Sequence, residues 1–364
     1  MIKYNLNYVD GLYFEIISDG GKNKEYSVSF VDQYDKVIYE TVLKPNAWAK
    51  LTKKYIEPIT IKVATKIGTP VLQINVLNEF VNKKVFISFE SKSLGDTLAW
   101  IPYCLEFKNK YNCRVVVSTF HNELFETVYP ELQFVGRGKV VNDIIGMFHI
   151  GWFWEKDREP KNPCIDPLQK TITNILHLPY EEILPRLAFV PIERPIEDKY
   201  VVISTKSTSQ LKHWYYWEQV IDYLKLKGYQ VVEMSLDTTD YKGLTVIEDK
   251  SIKNTMNVIH HAEFFIGLSS GLSWLAWALK KKVVMIANFT ESDHEFTTNC
   301  IRITDESVCN SCWNNPKFKF NKGDWNWCPE HEDTSRQFEC HKSIKAEKVI
   351  EKLEILMNIK IEGS

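Results

Sequence analysis

Nowhere in the 364-residue chain do about eighteen apolar residues run without a charge, so the usual signature of a membrane-crossing helix is missing. Met1 to Asp10 hold no basic segment followed by an apolar one, so no export signal is read and the cytoplasm is the expected compartment. Neither sign of charge dominates: 45 Lys and Arg against 47 Asp and Glu leave a formal net charge of -2. That balance gives no broad electropositive surface, and nucleic acid is not an expected partner. No internal repeat and no low-complexity tract is present, which excludes solenoid architectures.

What is present is ordinary globular composition, 44% hydrophobic and 25% charged, in a chain too long for one core. Residues 1–82 alternate apolar and polar positions in short runs such as Tyr26 to Val31, Val37 to Val42 and Ile59 to Ala64, the pattern of a small β-rich domain. The apolar run Val85 to Phe89, a glycine-containing turn, a helical stretch from Thr97 to Tyr111 and the run Arg114 to Thr119 then make a βαβ unit. The same grammar returns from Tyr200 to Ile286. This predicts an α/β chain with two Rossmann-like, doubly wound domains, at 83–191 and 192–300, with an exposed linker and hinge at 192–199, around Pro195. A finger at 301–343 and a C-terminal helix at 344–364 complete the expected order.

Three turns sit where a strand ends and a helix begins, which is where open α/β sheets bind ligands. In Ser93-Leu94-Gly95-Asp96-Thr97, Gly95 permits close backbone approach and Asp96 presents a carboxylate suited to a general base. The plainer account is that Asp96 caps the helix. In Ser204 to Trp214, hydroxyls and the lysines Lys206 and Lys212 can cradle and neutralise phosphate, with Lys212 preferred; a capped polar loop is the alternative. In Ser269-Ser270-Gly271-Leu272, the amides of Ser270, Gly271 and Leu272 would open a helix N-terminus towards an anion, although any tight turn also favours Gly and Ser.

The sharpest signal is Cys309-Asn310-Ser311-Cys312, followed by Cys328 and Cys340. A Cys-x-x-Cys knuckle and a second pair suit a tetrahedral thiolate site for iron or zinc, with His331 and His341 as neighbours able to substitute. Disulfides would be the reading for an exported chain. Cys104, Cys113, Cys164 and Cys300 lie in or beside apolar runs and read as packing residues.

Together, Ser93-Leu94-Gly95-Asp96, Lys212-His213-Trp214, Ser269-Ser270-Gly271-Leu272 and the four-cysteine insert resemble the bacterial autotransporter heptosyltransferases, which in turn look like the lipopolysaccharide heptosyltransferases of GT-B architecture. The resemblance implies an inverting transfer of heptose from ADP-heptose to serine on an autotransporter passenger, with Asp96 as base and Gly95 and Thr97 shaping the acceptor-side turn. It assigns Lys212, Ser204 and Thr205, and Ser270, Gly271 and Leu272 to the donor. It also implies one iron per chain on Cys309, Cys312, Cys328 and Cys340, with zinc as the alternative, and a homo-oligomeric, dodecameric ring. The N-terminal β domain would help engage the acceptor. Where the lipopolysaccharide enzymes commonly show Asp-Thr-Gly and a following His, this chain has Ser269-Ser270-Gly271 and Trp274. Two further readings are a glycan-directed sugar transferase using another nucleotide sugar, and a non-catalytic nucleotide-binding scaffold.

Overall fold

The computed structural model describes residues 2–17, 24–153, 161–235, 239–318, 320 and 326–361, without the side chains of 359–361. The chain divides into two compact units. The first comprises Met1–Lys92, Ile101–Pro163 and Thr171–Tyr180; the second comprises Ser93–Trp100, Cys164–Lys170 and Glu181–Ser364.

The first unit holds strands β1 (Lys3–Tyr8), β2 (Leu12–Ile17), β3 (Tyr26–Val31), β4 (Val37–Leu43), β5 (Ala47–Leu51), β6 (Thr60–Thr65), β7 (Pro70–Asn75), β8 (Lys84–Phe89), β9 (Arg114–Ser118), β10 (Gln133–Phe134) and β11 (Ile144–Ile150). One sheet runs β10-β9-β8-β11-β1-β2-β5, and β4-β3-β6-β7 form a separate antiparallel sheet. In β8 every residue after Lys84 is buried, as a strand covered on both faces requires. The β-rich start is therefore not a domain of its own: β1 pairs in parallel with β11, Tyr8 opposite Gly146, so its open edge is closed by the Rossmann-like sheet.

In the second unit, β12 (Tyr200–Ile203), β13 (Gln230–Glu233), β14 (Thr245–Val246), β15 (Phe265–Leu268), β16 (Val283–Ile286) and β17 (Cys300–Ile303) form an all-parallel sheet in the order β14-β13-β12-β15-β16-β17. This is the doubly wound order, and its direction reverses between β12 and β15. The helices in chain order are α1 (Leu94–Trp100), α2 (Pro102–Tyr111), α3 (Leu168–Leu176), α4 (Trp217–Leu226), α5 (Ile252–His261), α6 (Gly271–Ala278), α7 (Glu339–Ser343) and α8 (Ala346–Ile361). A core of Val201, Ile203, Trp217, Leu224, Ile266 and Ile286 takes in Val349, Leu353 and Leu356 of α8, so the C-terminal helix belongs to this domain.

Three expected boundaries move. The helix predicted from Thr97 to Tyr111 is two helices, because Pro102 cannot continue the first and instead opens the second. Residues 192–199 are not a hinge between the units. They lie inside the second, where Asn257 of α5 accepts from the Ile192 amide at 3.0 Å and donates to the Glu193 carbonyl at 3.1 Å. The second sheet ends on β17, Cys300–Ile303, past the expected limit at residue 300, because β17 pairs in parallel along β16. Among the described residues no helix is long and apolar enough to cross a membrane.

Candidate active site and metal finger

β12 and β15 are hydrogen-bonded neighbours at the switch point, with Ile203 opposite Ile266, so the loops that follow them emerge side by side. Ser204 is fully buried and its hydroxyl lies 3.2 Å from the Ser235 hydroxyl. The Thr205 hydroxyl, also buried, has no hydrogen-bond partner among the described residues. Beside it stands Glu233, a residue the sequence reading missed. One oxygen of its carboxylate accepts from the amides of Ser235 at 2.9 Å and Thr205 at 3.3 Å, and the other has no partner among the described residues. Burial pushes its pKa up. Its signal was an acid ending a strand directly after Val231 and Val232.

After β15, the Ser269-Ser270-Gly271 turn opens α6. The first bond within that turn is from the Ser273 amide to the Ser270 carbonyl at 3.1 Å, which leaves the amides of Gly271 and Leu272 ahead of the ladder. The buried Ser270 hydroxyl has no partner among the described residues. α1 packs on α6 at this point. A Cβ on Gly95 would sit 3.1 Å from the Trp274 ring and 3.4 Å from the Gly271 Cα, and a Cβ on Gly271 3.3 Å from the Gly95 nitrogen. Both glycines are therefore required by close approach of the two helix starts. This packing is why α1 groups with the second unit rather than with the strand that precedes it.

Asp96 lies in the first turn of α1 and is 8% exposed. The Ser93 hydroxyl accepts from the Asp96 amide at 3.4 Å, so Asp96 stands inside the first turn of α1 rather than at its N-cap position. Thr97 is buried and its hydroxyl donates to the Ser93 carbonyl at 3.1 Å, which ties the turn together. Lys212 stands with its ammonium 5.8 Å from the centre of the Phe289 ring. Burial pulls its pKa down, and the carboxylates of Glu295 and then Asp96 pull it back up. The base candidate and the phosphate-binding candidate thus come together.

Behind the Ser269 turn lies a buried ion pair that the sequence reading also missed. Glu295 accepts from Arg302 at 2.5 Å, from Thr290 at 3.0 Å and from the Ser269 hydroxyl, and Arg302 donates further to the Thr290 carbonyl at 2.8 Å. Burial alone would raise the Glu295 carboxyl, but Arg302, His294 and Ser269 outweigh it and hold the pKa at about 2. His294, buried alongside, is pushed down to about 4 by desolvation. In the first unit, the end of β8 carries another polar group: Glu90 is bonded to His149 at 3.0 Å and Ser88 at 3.0 Å, and these lower its pKa to about 2.

The finger is pinned to the end of β16. Asn288 donates to the Cys340 carbonyl at 2.6 Å and accepts from the Asp305 amide at 2.8 Å, while the Ser311 and Trp313 amides bond the carbonyls of Asn288 and Phe289. None of the eight cysteines forms a disulfide, and Cys104, Cys113 and Cys164 are buried. Burial raises the thiols of Cys312 and Cys340 to about 12, and the sulfurs of the set add to it: Cys309 and Cys328 act on Cys312, and Cys309, Cys312 and Cys328 on Cys340. Cys309, Cys312 and Cys340 are each held back from ionising by sulfurs of the set, an opposition that a bound cation would reverse. Among the described residues, the three ligand atoms that lie within 4.8 Å of one another belong to Cys309, His331 and Glu339, a group that shares only Cys309 with the expected four-cysteine set.

A doubly wound sheet with two strand-to-helix loops side by side at its switch point is the fold of a glycosyltransferase of GT-B architecture. The model of glycosyltransferase family 9 (heptosyltransferase) matches residues 179–326. The chain is 33% identical over 347 residues to the autotransporter heptosyltransferase Aah of Escherichia coli, covering 89% of this chain and 87% of Aah. The crystal structure of TibC, the iron-containing dodecameric glycosyltransferase of enterotoxigenic E. coli H10407, matches with TM-score 0.86 at 28% identity over 98% of this chain and 96% of TibC. A second TibC structure, in complex with ADP-D-beta-D-heptose, matches over the same shares with TM-score 0.84. The inactive autotransporter heptosyltransferase BimC of Burkholderia thailandensis is 28% identical over 73% of this chain and 67% of its own length. The chain belongs to the autotransporter heptosyltransferase family.

Proposed function

We propose that this chain transfers heptose from ADP-heptose to serine hydroxyls of an autotransporter passenger, in the cytoplasm, by one inverting displacement. The observation that carries the reading is the meeting of Asp96, Lys212 and the Ser270 to Leu272 turn within one unit. The serine oxygen attacks the anomeric carbon, its proton passes to Asp96, the bond from that carbon to the diphosphate oxygen breaks, and ADP leaves. TibC binds the β-anomer of ADP-heptose, so an inverting transfer from that donor yields an α-linkage. Lys212 and the amides of Gly271 and Leu272 receive the charge that develops on the leaving diphosphate. Thr205 and the open oxygen of Glu233 stand ready for donor hydroxyls. Because one relative is inactive, turnover is tested directly: intact-mass analysis of a serine-rich passenger incubated with the protein and ADP-heptose is expected to show additions of one heptose each. An unmodified passenger would overturn the acceptor assignment.

One iron per chain, held by Cys309, Cys312, Cys328 and Cys340, completes the reading, with zinc as the alternative and a dodecameric ring as the assembly. When bound, the metal supplies a structural cross-link through four thiolates. Metal analysis of purified Cys328→Ser protein should show less than the full iron complement of the parent, and a mass measurement in solution should show a smaller assembly. Undiminished metal in that variant would remove Cys328 from the ligand set.

A further inference from the structure

Asn314, two residues beyond Cys312, is buried and ties together stretches of the second unit that are far apart along the chain. Its Oδ1 accepts from the Glu291 amide at 2.9 Å, and its Nδ2 donates to the Cys164 carbonyl at 2.7 Å and to Nδ1 of His294 at 3.2 Å. An apolar residue in its place would leave those buried partners unsatisfied. Both stretches that Asn314 holds lead to the candidate donor site. Residues 288–295 carry Phe289, whose ring centre lies 5.8 Å from the Lys212 ammonium, and Glu295, which accepts from the hydroxyl of Ser269 directly before the turn that opens α6. The stretch Cys164–Lys170 holds α1: the Leu168 amide donates to the His294 carbonyl at 2.9 Å, and the Trp100 indole at the end of α1 donates to the Leu168 carbonyl at 2.9 Å. The finger reaches the same floor through its aromatic side chains, since Phe320 stands edge-on to Phe289 at 5.5 Å and tilted against Trp313 at 5.5 Å between ring centres. It also touches the other loop, where the side-chain oxygen of Asn326, two residues before Cys328, accepts from the Gln210 amide at 3.1 Å at the start of the turn Gln210–Lys212.

We propose that Asn314 is a positioning residue that couples the finger to the donor site, so that a metal ion on the cysteine set and a diphosphate at Lys212 each strengthen the binding of the other. The proposal rests on the reading of Lys212 and the α6 turn as phosphate ligands and of the cysteines as a metal set. With the knuckle Cys309 to Cys312 fixed, Asn314 is fixed two residues further on, and with it the Glu291 amide and the His294 ring. The loop that floors Lys212 is then ordered before the donor arrives, which leaves less ordering for donor binding to offset. Linkage makes the effect reciprocal: the factor by which the metal improves donor affinity is the factor by which the donor improves metal affinity.

The test is that reciprocity. Zn²⁺ serves as the probe, because thiolate sets that accept iron also accept zinc, and zinc does not change oxidation state. Its affinity for the full chain is measured by competition with a chelator, with and without saturating ADP, and ADP affinity is measured by calorimetry on the zinc-loaded and the stripped protein. ADP should tighten zinc about fivefold or more, and zinc should tighten ADP by the same factor. In Asn314→Ala that factor should vanish in both directions; a merely structural role would weaken each affinity and leave their coupling. Asn314→Asp, which keeps the oxygen for the Glu291 amide, should keep part of it. Lys212→Ala controls for zinc held by ADP in solution, since ADP should no longer tighten zinc there. Should Asn314→Ala fail to fold, the competition on the parent and on Asn314→Asp still reads the factor. ADP bound with equal affinity by the loaded and the stripped parent overturns the coupling and leaves the donor reading standing. An undiminished factor in Asn314→Ala, or in Asn314→Asp where that variant alone folds, overturns the role of Asn314. A parent that binds no ADP overturns the donor reading, and this proposal with it.

Discussion

Asp96→Asn is expected to lower heptose transfer by roughly 10²- to 10⁴-fold, the usual contribution of a general base, while ADP-heptose binding is retained. The substitution preserves the shape of a side chain that is nearly fully buried beside the α1–α6 contact, so a packing defect is not the expected cause of the loss. The amide can still accept a hydrogen bond from the serine hydroxyl but has no basicity with which to take its proton. Binding has its own sign. Asp96 places a negative charge within electrostatic reach of Lys212, and removing that charge takes away a repulsion from the incoming diphosphate. Donor affinity should therefore hold or tighten as turnover falls, a split that a misfolded variant does not give. Steady-state transfer to a passenger, paired with ADP-heptose calorimetry on the same samples, reads both. Wild-type turnover in this variant would sink the base assignment, and a parallel fall in donor affinity would make Asp96 a binding residue instead.

The strand-to-helix turns were legible because they are local. A buried apolar run, a glycine-bearing turn and a following helix specify where Asp96, Ser204 and Gly271 lie along the chain, and the parallel sheet order brings two of the three together. Glu233 and Glu295 were hidden for a different reason. Each is one acid whose meaning depends on a partner far along the chain: Glu233 on Thr205, twenty-eight positions earlier, and Glu295 on Ser269, twenty-six positions earlier. Periodicity carries no trace of such pairings. The N-terminal boundary was misjudged on similar grounds, since alternation in β1 and β2 states that one face is buried but not which sheet closes the edge. The four cysteines were plain from spacing, while the approach of His331 and Glu339 to Cys309 needed the folded finger.

Arg302→Leu should cost about 3–5 kcal/mol at neutral pH, because it strips the partner from a carboxylate that stays buried. Arg302 is 11% and Glu295 3% exposed at the side chain, so water cannot solvate the charge that remains. The pH dependence follows from the depressed carboxyl. Its folded pKa, at about 2, lies below the ordinary value of 4.5, so the folded state holds fewer protons at this site than the unfolded one. The stability it contributes is fully present above the ordinary value and is lost as pH falls from there through about 2. In Arg302→Leu the carboxyl is left to burial, which raises it, so acid relieves the variant while it weakens the parent. The gap between the two should be widest near neutrality and should close as the pH drops through the carboxylate range. With two units in the chain, a global melt would blend transitions. Hydrogen exchange at the amides of β16 and β17 reads the affected unit directly. Replacing both partners, as Arg302→Leu with Glu295→Leu, should recover most of the loss, since no charge then remains buried. A gap that stays constant from neutral to acid would mean that the destabilisation comes from lost packing against Met285 and Thr290 rather than from the unpaired charge.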